Sequence, residues 1–198
     1  EIVIGQTARD VYGDFDWDWM GEEGYTVLVK DFTLVIAGGS GRGTLYGVYG
    51  FLESLGCRFF APDCETVPKL ETILIDADYR DSQRPAFSFR DVFWACAFDE
   101  EWSVKQRVNS CFNLFNRTLG RSISPEWGGG ISNARPQHVH NFEVLVPVDK
   151  YFESHPEYFS EINGKRTSEF LYSQLCLTNE DVFQIVVNQI REWMKENP

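Results

Sequence analysis

All three histidines of the chain lie between residues 138 and 155, and His138 and His140 form an H-x-H pair with Glu143 close behind. In an extended segment alternate side chains share a face. The two imidazoles can then point the same way, with the Glu143 carboxylate as a neighbour. That is part of a zinc-type site, which needs three or four N, O or S ligands. A third ligand at sensible spacing is missing, so a metal-dependent hydrolase built on His138 and His140 is a third-ranked reading. His140 with Asn141 can instead hydrogen-bond sugar hydroxyls, or the pair can be structural. Glycoside hydrolysis takes two carboxyl groups facing each other across the scissile bond. Glu143 and Asp91 are the best local carboxylates, each open to a direct role or to structure and substrate hydrogen bonding. Trp94 either stacks on a sugar ring or packs in a core. His155, before Pro156, suits a turn. Lys165 and Arg166 either meet an acidic sugar or form a solvated turn. Trp127, followed by glycines, can serve as a rim aromatic.

The glycine-rich stretch GGSGRGTLYGVYGFLESLGCRFFAP (residues 38–62) invites a phosphate-loop reading. A Walker loop needs Lys followed by Ser or Thr after its last glycine. Here Arg42 precedes Gly43, and Thr44 follows with no Lys. The dinucleotide pattern fails too, because Gly41 and Gly43 are followed by Gly47, one residue late. The net charge of −12 repels phosphate backbones and argues against nucleic-acid binding. No apolar run reaches the roughly 20 residues of a membrane helix. Five cysteines without CxxC spacing disfavour a zinc ribbon. Cys57 and Cys64 either bridge or stay free. The chain begins with Glu1 in a strand-like run and reads as an excised piece of a longer protein.

The elements that must position these residues divide in two. Residues 1–80 read as strands at Glu1–Gly5, Gly24–Lys30 and Phe32–Ala37, one dominant helix near 43–55, and strands at Cys57–Phe60 and Leu70–Asp76. Residues 10–23 read as a loop with one helical turn. Leu45, Val48, Tyr49, Leu52 and Leu55 recur at helical spacing as an inner face. Gly43, Gly47 and Gly50 make a small-residue face for close backbone approach. Ser40 or Thr44 can cap the helix and Gly56 can stop it. This is an α+β accessory domain, a small sheet with one main helix. Asp78–Pro85 reads as a linker. Residues 81–198 then read as a strand at Phe87–Trp94, a helix over Asp99–Asn113 with Trp102, Val108 and Phe112 inward, a strand at Asn113–Leu119 and a long loop over Arg121–Gln137. Beyond these come an Asn163–Gly164 hairpin, a short strand at Leu175–Leu177 and a helix capped by Thr178 or Asn179. Alternation of this kind opens a (β/α)8 barrel, which needs about 250 residues, so only its N-terminal part is expected.

Two segments carry a family resemblance. GRGTLYGVYGFLESLGCRFFAPDCETVP followed by RPAFSFRD resembles the junction of accessory domain and barrel in family 67 α-glucuronidases and family 20 β-hexosaminidases. PVDKYFESHPEYFSEINGKR with SQLCLTNEDV resembles domain-of-unknown-function family 4838, whose members are large, mostly bacterial, carbohydrate-related proteins. The resemblance implies a glycoside hydrolase-like protein acting on complex carbohydrate, α-glucuronidase-like activity being one option, with its catalytic carboxylates mostly outside this chain. In the hexosaminidases an Arg ending the first barrel strand grips sugar hydroxyls, and Arg90 stands at the matching place. Asp91 replaces the glycine that follows it there and can itself pair with Arg90. The expected substrate-binding set is therefore Arg90, Trp94, His140, Asn141 and Glu143, with an oligosaccharide or polysaccharide as partner. No cofactor and no protein partner are called for, and a periplasmic or secreted location fits. The alternative is a non-catalytic carbohydrate-binding module.

Overall fold

The computed structural model describes residues 1–13, 15–110, 123–131, 141–169 and 174–196. They form two compact units, one made of the described residues up to 131 and one of those from 141 onward. The first is mixed α and β, with a four-stranded sheet and one long helix.

Its sheet contains β1 (Ile2–Ile4), β2 (Tyr25–Lys30), β3 (Thr33–Gly38) and β6 (Arg80–Gln83), in the order β1-β3-β2-β6. β1 runs parallel to β3, while β2 is antiparallel to both β3 and β6. The β2–β3 hairpin turns on Asp31 and Phe32, both with positive φ (50° and 62°). A two-residue turn of that hand matches the twist of the flanking strands. Every residue of β3 is buried, because both faces of the sheet are covered. Leu34 and Ile36 face a core with Tyr25, Val27, Tyr46 and Phe51, whereas Val35 and Ala37 face a second core with Ala8, Phe15 and Met20. Period-two alternation thus splits one apolar strand between two layers. The second layer is supplied by α1 (Gln6–Val11), which was not expected, and α2 (Trp17–Met20), the one helical turn expected within residues 10–23.

The long helix α3 (Gly41–Ser54) begins at Ser40, whose hydroxyl accepts from the amides of Arg42 and Gly43. It is followed by Gly56 at φ 100°. The face it presses on the sheet is the glycine face expected to allow close approach, and not the leucine face expected to be buried. Arg42, Gly43, Tyr46, Gly47 and Phe51 are buried, while Leu45, Val48 and Tyr49 are only partly so. The reason is distance. A Cβ on Gly47 would stand 2.9 Å from Ile36 Cγ2, and one on Gly43 would stand 2.6 Å from the Gly24 carbonyl oxygen. The helix sits so low that only glycine fits beneath it, and the leucine stripe is left on the flank.

Beyond α3, β4 (Arg58–Ala61) pairs with β5 (Cys64–Thr66), and Cys57 and Cys64 are free thiols. The strand expected at Leu70–Asp76 is absent. Leu70, Ile73 and Leu74 are largely exposed, and the sheet is instead extended by β6, inside the polar stretch that reads as a linker. Polar residues suffice there because β6 is the edge: Thr26 Oγ1 meets Ser82 Oγ at 2.9 Å across the pair. The first unit therefore continues past residue 80.

Residues 87–94 form no strand, yet they are laced to their neighbours. The Asn109 amide donates to the Arg90 carbonyl at 3.1 Å, and the Asn109 carbonyl accepts from the Ile131 amide at 2.7 Å. Between Arg90 and Asn109 lies α4 (Glu100–Lys105), capped by Asp99 and shorter than expected. Val104 and Val108 are buried, and Phe112 lies outside the described residues, as does the strand expected at 113–119. Of the long loop, residues 123–131 are described. Pro125–Trp127 is a single 3-10 turn, and Trp127 packs against the first core instead of standing free at a rim.

The second unit holds α5 (Phe142–Leu145), α6 (Val148–Tyr151), β7 (Glu161–Ile162), β8 (Lys165–Arg166) and α7 (Glu180–Glu196). The hairpin turns on Asn163 and Gly164, again both with positive φ. Leu145, Val146, Tyr158, Phe159, Leu175 and Val182 form its core, with Ile185, Val186 and Trp193 of α7 against it. Asn179 caps α7, its Oδ1 accepting from the amides of Asp181 and Val182. Among the described residues of this unit the only sheet is that two-stranded hairpin, so barrel strands are not evident there. No described helix is long and apolar enough to cross a membrane.

Candidate functional site

The polar groups of the first unit converge on Glu23, in the turn after α2. Its Oε1 accepts from Arg42 Nε (2.8 Å), Arg90 Nη2 (2.8 Å) and Asn109 Nδ2 (2.9 Å), and its Oε2 accepts from Arg90 Nη1 (2.9 Å). Three distant segments meet on one carboxylate. Ser40 helps place it, donating from its hydroxyl to the Glu22 carbonyl. Burial works to raise the Glu23 pKa. Hydrogen bonds from Arg90 and Asn109 and the charges of Arg90 and Arg42 outweigh it and hold the carboxyl below its usual range. Tyr46, beneath Arg90, is pushed up to about 12 by burial first and by the Glu23 charge second, so it stays a neutral phenol.

Arg90 is committed to this network. Besides its fork onto Glu23, Nε donates to the Arg107 carbonyl (2.7 Å), Nη1 to the Phe87 carbonyl (2.6 Å) and Nη2 to Tyr46 Oη (3.4 Å). A guanidinium has five N–H donors, and all are used. Its side chain is 18% exposed. The geometry assigns Arg90 to positioning, with no donor left for a sugar hydroxyl. Among the described residues its ion pair is with Glu23 and not with Asp91.

Asp91 presents a different problem. Among the described residues its Oδ1 and the hydroxyl of Ser110 are buried without a hydrogen-bond partner. They follow directly on Arg90 and Asn109, the two residues joined by the backbone bond and both bonded to Glu23. Buried polar atoms are nearly always satisfied in folded proteins, so these two mark a place where a further polar group belongs. Trp94, a few residues on, is 64% exposed and Phe93 60%. The indole is open to a ligand instead of filling the core.

Asn141 and Glu143 belong to the second unit. Asn141 stands at the start of α5, its carbonyl accepting from the amides of Val144 and Leu145, and Glu143 is exposed in the first turn. His138 and His140 lie outside the described residues, so the H-x-H reading is not addressed. Among the described residues no three His, Cys, Asp or Glu side chains gather as a metal site. His155 stacks on Tyr158 at 4.6 Å and meets Glu157 Oε1 at 3.2 Å, in keeping with a turn-fixing role.

Glu23, Arg42, Tyr46 and Asn109 were not singled out by the sequence. One signal was available. Arg42 sits on the glycine face of α3, and an arginine on a buried face requires a buried acceptor.

The family model described as "Domain of unknown function (DUF4838)" matches residues 59–198. No curated protein and no solved structure matches the chain.

Proposed function

Since the chain belongs to the family of domain of unknown function DUF4838, we propose that it is part of a glycoside hydrolase-like protein acting on complex carbohydrate. In this reading an α/β accessory unit carries the opening segments of a (β/α) barrel. The observation that carries it is the lacing of Arg90 to Asn109 to Ile131, with α4 between the first two. Asp91 and Ser110 stand with unpartnered oxygens one residue beyond that lacing. In barrels of this class substrates bind at the carboxyl ends of the strands. Beside that lacing the exposed Trp94 offers an apolar platform for a sugar ring, with the Asp91 carboxylate three residues before it in the chain. Asp91 accepts from a hydroxyl in this scheme, and the catalytic carboxylate pair required for hydrolysis comes from other segments of the protein.

The test is oligosaccharide binding and hydrolysis by the protein, with Trp94→Ala and Asp91→Asn compared against the unaltered chain. Loss of one stacking face is worth about 1 kcal/mol, roughly a fivefold loss of affinity. Affinity unchanged in both variants would refute this placement of the site. A protein that binds no glycan would refute the carbohydrate reading itself.

A further inference from the structure

A second cleft, of about 580 Å³, opens on the first unit and is not lined by Trp94 or Asp91. One wall is α2 and the turn after it, including Asp18, Trp19 and Glu22. The other is the segment from Arg84 to Ser88. Its volume falls within the range of small-ligand sites.

Both walls are held in place. Arg90 donates to the Phe87 carbonyl and Asn109 Nδ2 to the Ser88 carbonyl, while Glu23 anchors the opposite wall through the same two side chains. Arg84 ties the walls together, donating to the Trp19 carbonyl at 3.3 Å and standing over the Trp19 ring at 5.3 Å. The buried network around Glu23 thus acts as the frame of this cleft. Phe87 lines it with 74% of its surface exposed, and Trp19 lines it half-buried. Asp18 is exposed, and the Glu22 side chain is 80% exposed with one long contact to Arg42 (3.3 Å).

We propose that this cleft is a binding subsite for a neutral saccharide. The proposal rests on the carbohydrate reading above and adds a site to it. The exposed Phe87 ring matches the apolar face of a pyranose, and Trp19, partly covered by Arg84, completes the apolar wall. The carboxylates of Asp18 and Glu22 accept from hydroxyls as charge-assisted partners. The same two charges, against the single guanidinium of Arg84, disfavour a uronic acid. Arg90 and Asn109 are positioning residues for this subsite.

The experiment is calorimetric titration of the protein with cello-, xylo- and manno-oligosaccharides, with a glucuronide and choline as charged probes. Phe87→Ala is the principal variant, because so exposed a ring can be removed without disturbing the fold. Trp19→Ala is the second, and Trp94→Ala the control for the other site. The expected result is two separable binding events for a neutral oligosaccharide, one weakened about tenfold or more in Phe87→Ala and in Trp19→Ala, the other weakened only in Trp94→Ala. Binding that survives both cleft variants and is lost in Trp94→Ala would overturn the subsite and leave the carbohydrate reading standing. If no saccharide binds the unaltered protein, both fall. Tighter binding of the glucuronide or of choline, lost in Phe87→Ala, would overturn the neutral-sugar assignment.

Discussion

The two units are held together by different means. In the first, the groups that meet are far apart in sequence. β1 pairs with β3, β6 closes on β2, and Glu23 gathers Arg42, Arg90 and Asn109. In the second, most of the order is local. The β7–β8 hairpin closes on two residues, α5 and α6 are single turns, and α7 is set by its own cap and apolar face. Clefts and the orphaned oxygens of Asp91 and Ser110 belong to the first kind of construction. Fixed walls require contacts that bridge the chain, and a local hairpin cannot supply them.

The sharpest way to break this contrast is Arg90→Ala. Removing one partner of a buried pair leaves the other charge uncompensated, at a cost of about 3–5 kcal/mol. Arg90 and Glu23 are both mostly buried, but Arg42 stays paired with Glu23 at 2.8 Å, so the lower part of that range is expected, read as a drop in the denaturant midpoint. Acid tests the same pair. A carboxyl with a depressed folded pKa contributes stability above its unfolded value, about 4.3, and loses it as pH falls through the folded value. Glu23→Gln should therefore be less stable than the parent at pH 7, and the gap should close as pH drops below about 4. A gap that is constant with pH would mean that Glu23 acts by shape alone.

A smaller effect, about 1–3 kcal/mol, is expected from Gly47→Ala, since overpacking a tight interface costs that much. Alanine favours helices, so propensity alone predicts the opposite sign. The added methyl must displace Ile36 or Tyr25, and packing wins. Gly41→Ala is the control: a Cβ there meets nothing within 4 Å, and a gain of up to about 1 kcal/mol is expected from propensity. Thermal melts of the two variants should move in opposite directions.

This glycine face shows how far the sequence could be read. The β2–β3 hairpin, the long helix α3, its Ser40 start, its glycine face for close approach, the Asn163–Gly164 turn and the Asn179 cap are local signals, and all were legible. That the leucine stripe of α3 would be left on the flank was not, because periodicity marks an apolar face without saying how near the sheet approaches. β6 was hidden for a related reason, as an edge strand can be polar and its pairing with β2 is set by the partner. Arg90 was picked out as a gripping residue, but its actual acceptor, Glu23, lies 67 positions away in an acidic stretch where no one carboxylate stands out. Long-range pairing was the missing information in each case.

The smallest effects belong to the second unit, and they test whether its order is truly local. Asn179→Ala removes the cap of α7, at a cost of about 1 kcal/mol. Gly164→Ala forces a side chain onto a φ of 74°, which costs about 1–2 kcal/mol. The two residues share no hydrogen-bond partner: Asn179 serves Asp181 and Val182, and Gly164 sits in the β7–β8 turn. Independent sites add, so the double variant should lose the sum to within about 0.5 kcal/mol. Arg90→Ala with Glu23→Gln should instead fall well short of its sum, because the second change removes the charge that the first left stranded. Equal additivity in the two pairs would erase the distinction between a unit built on one shared carboxylate and a unit built from neighbours.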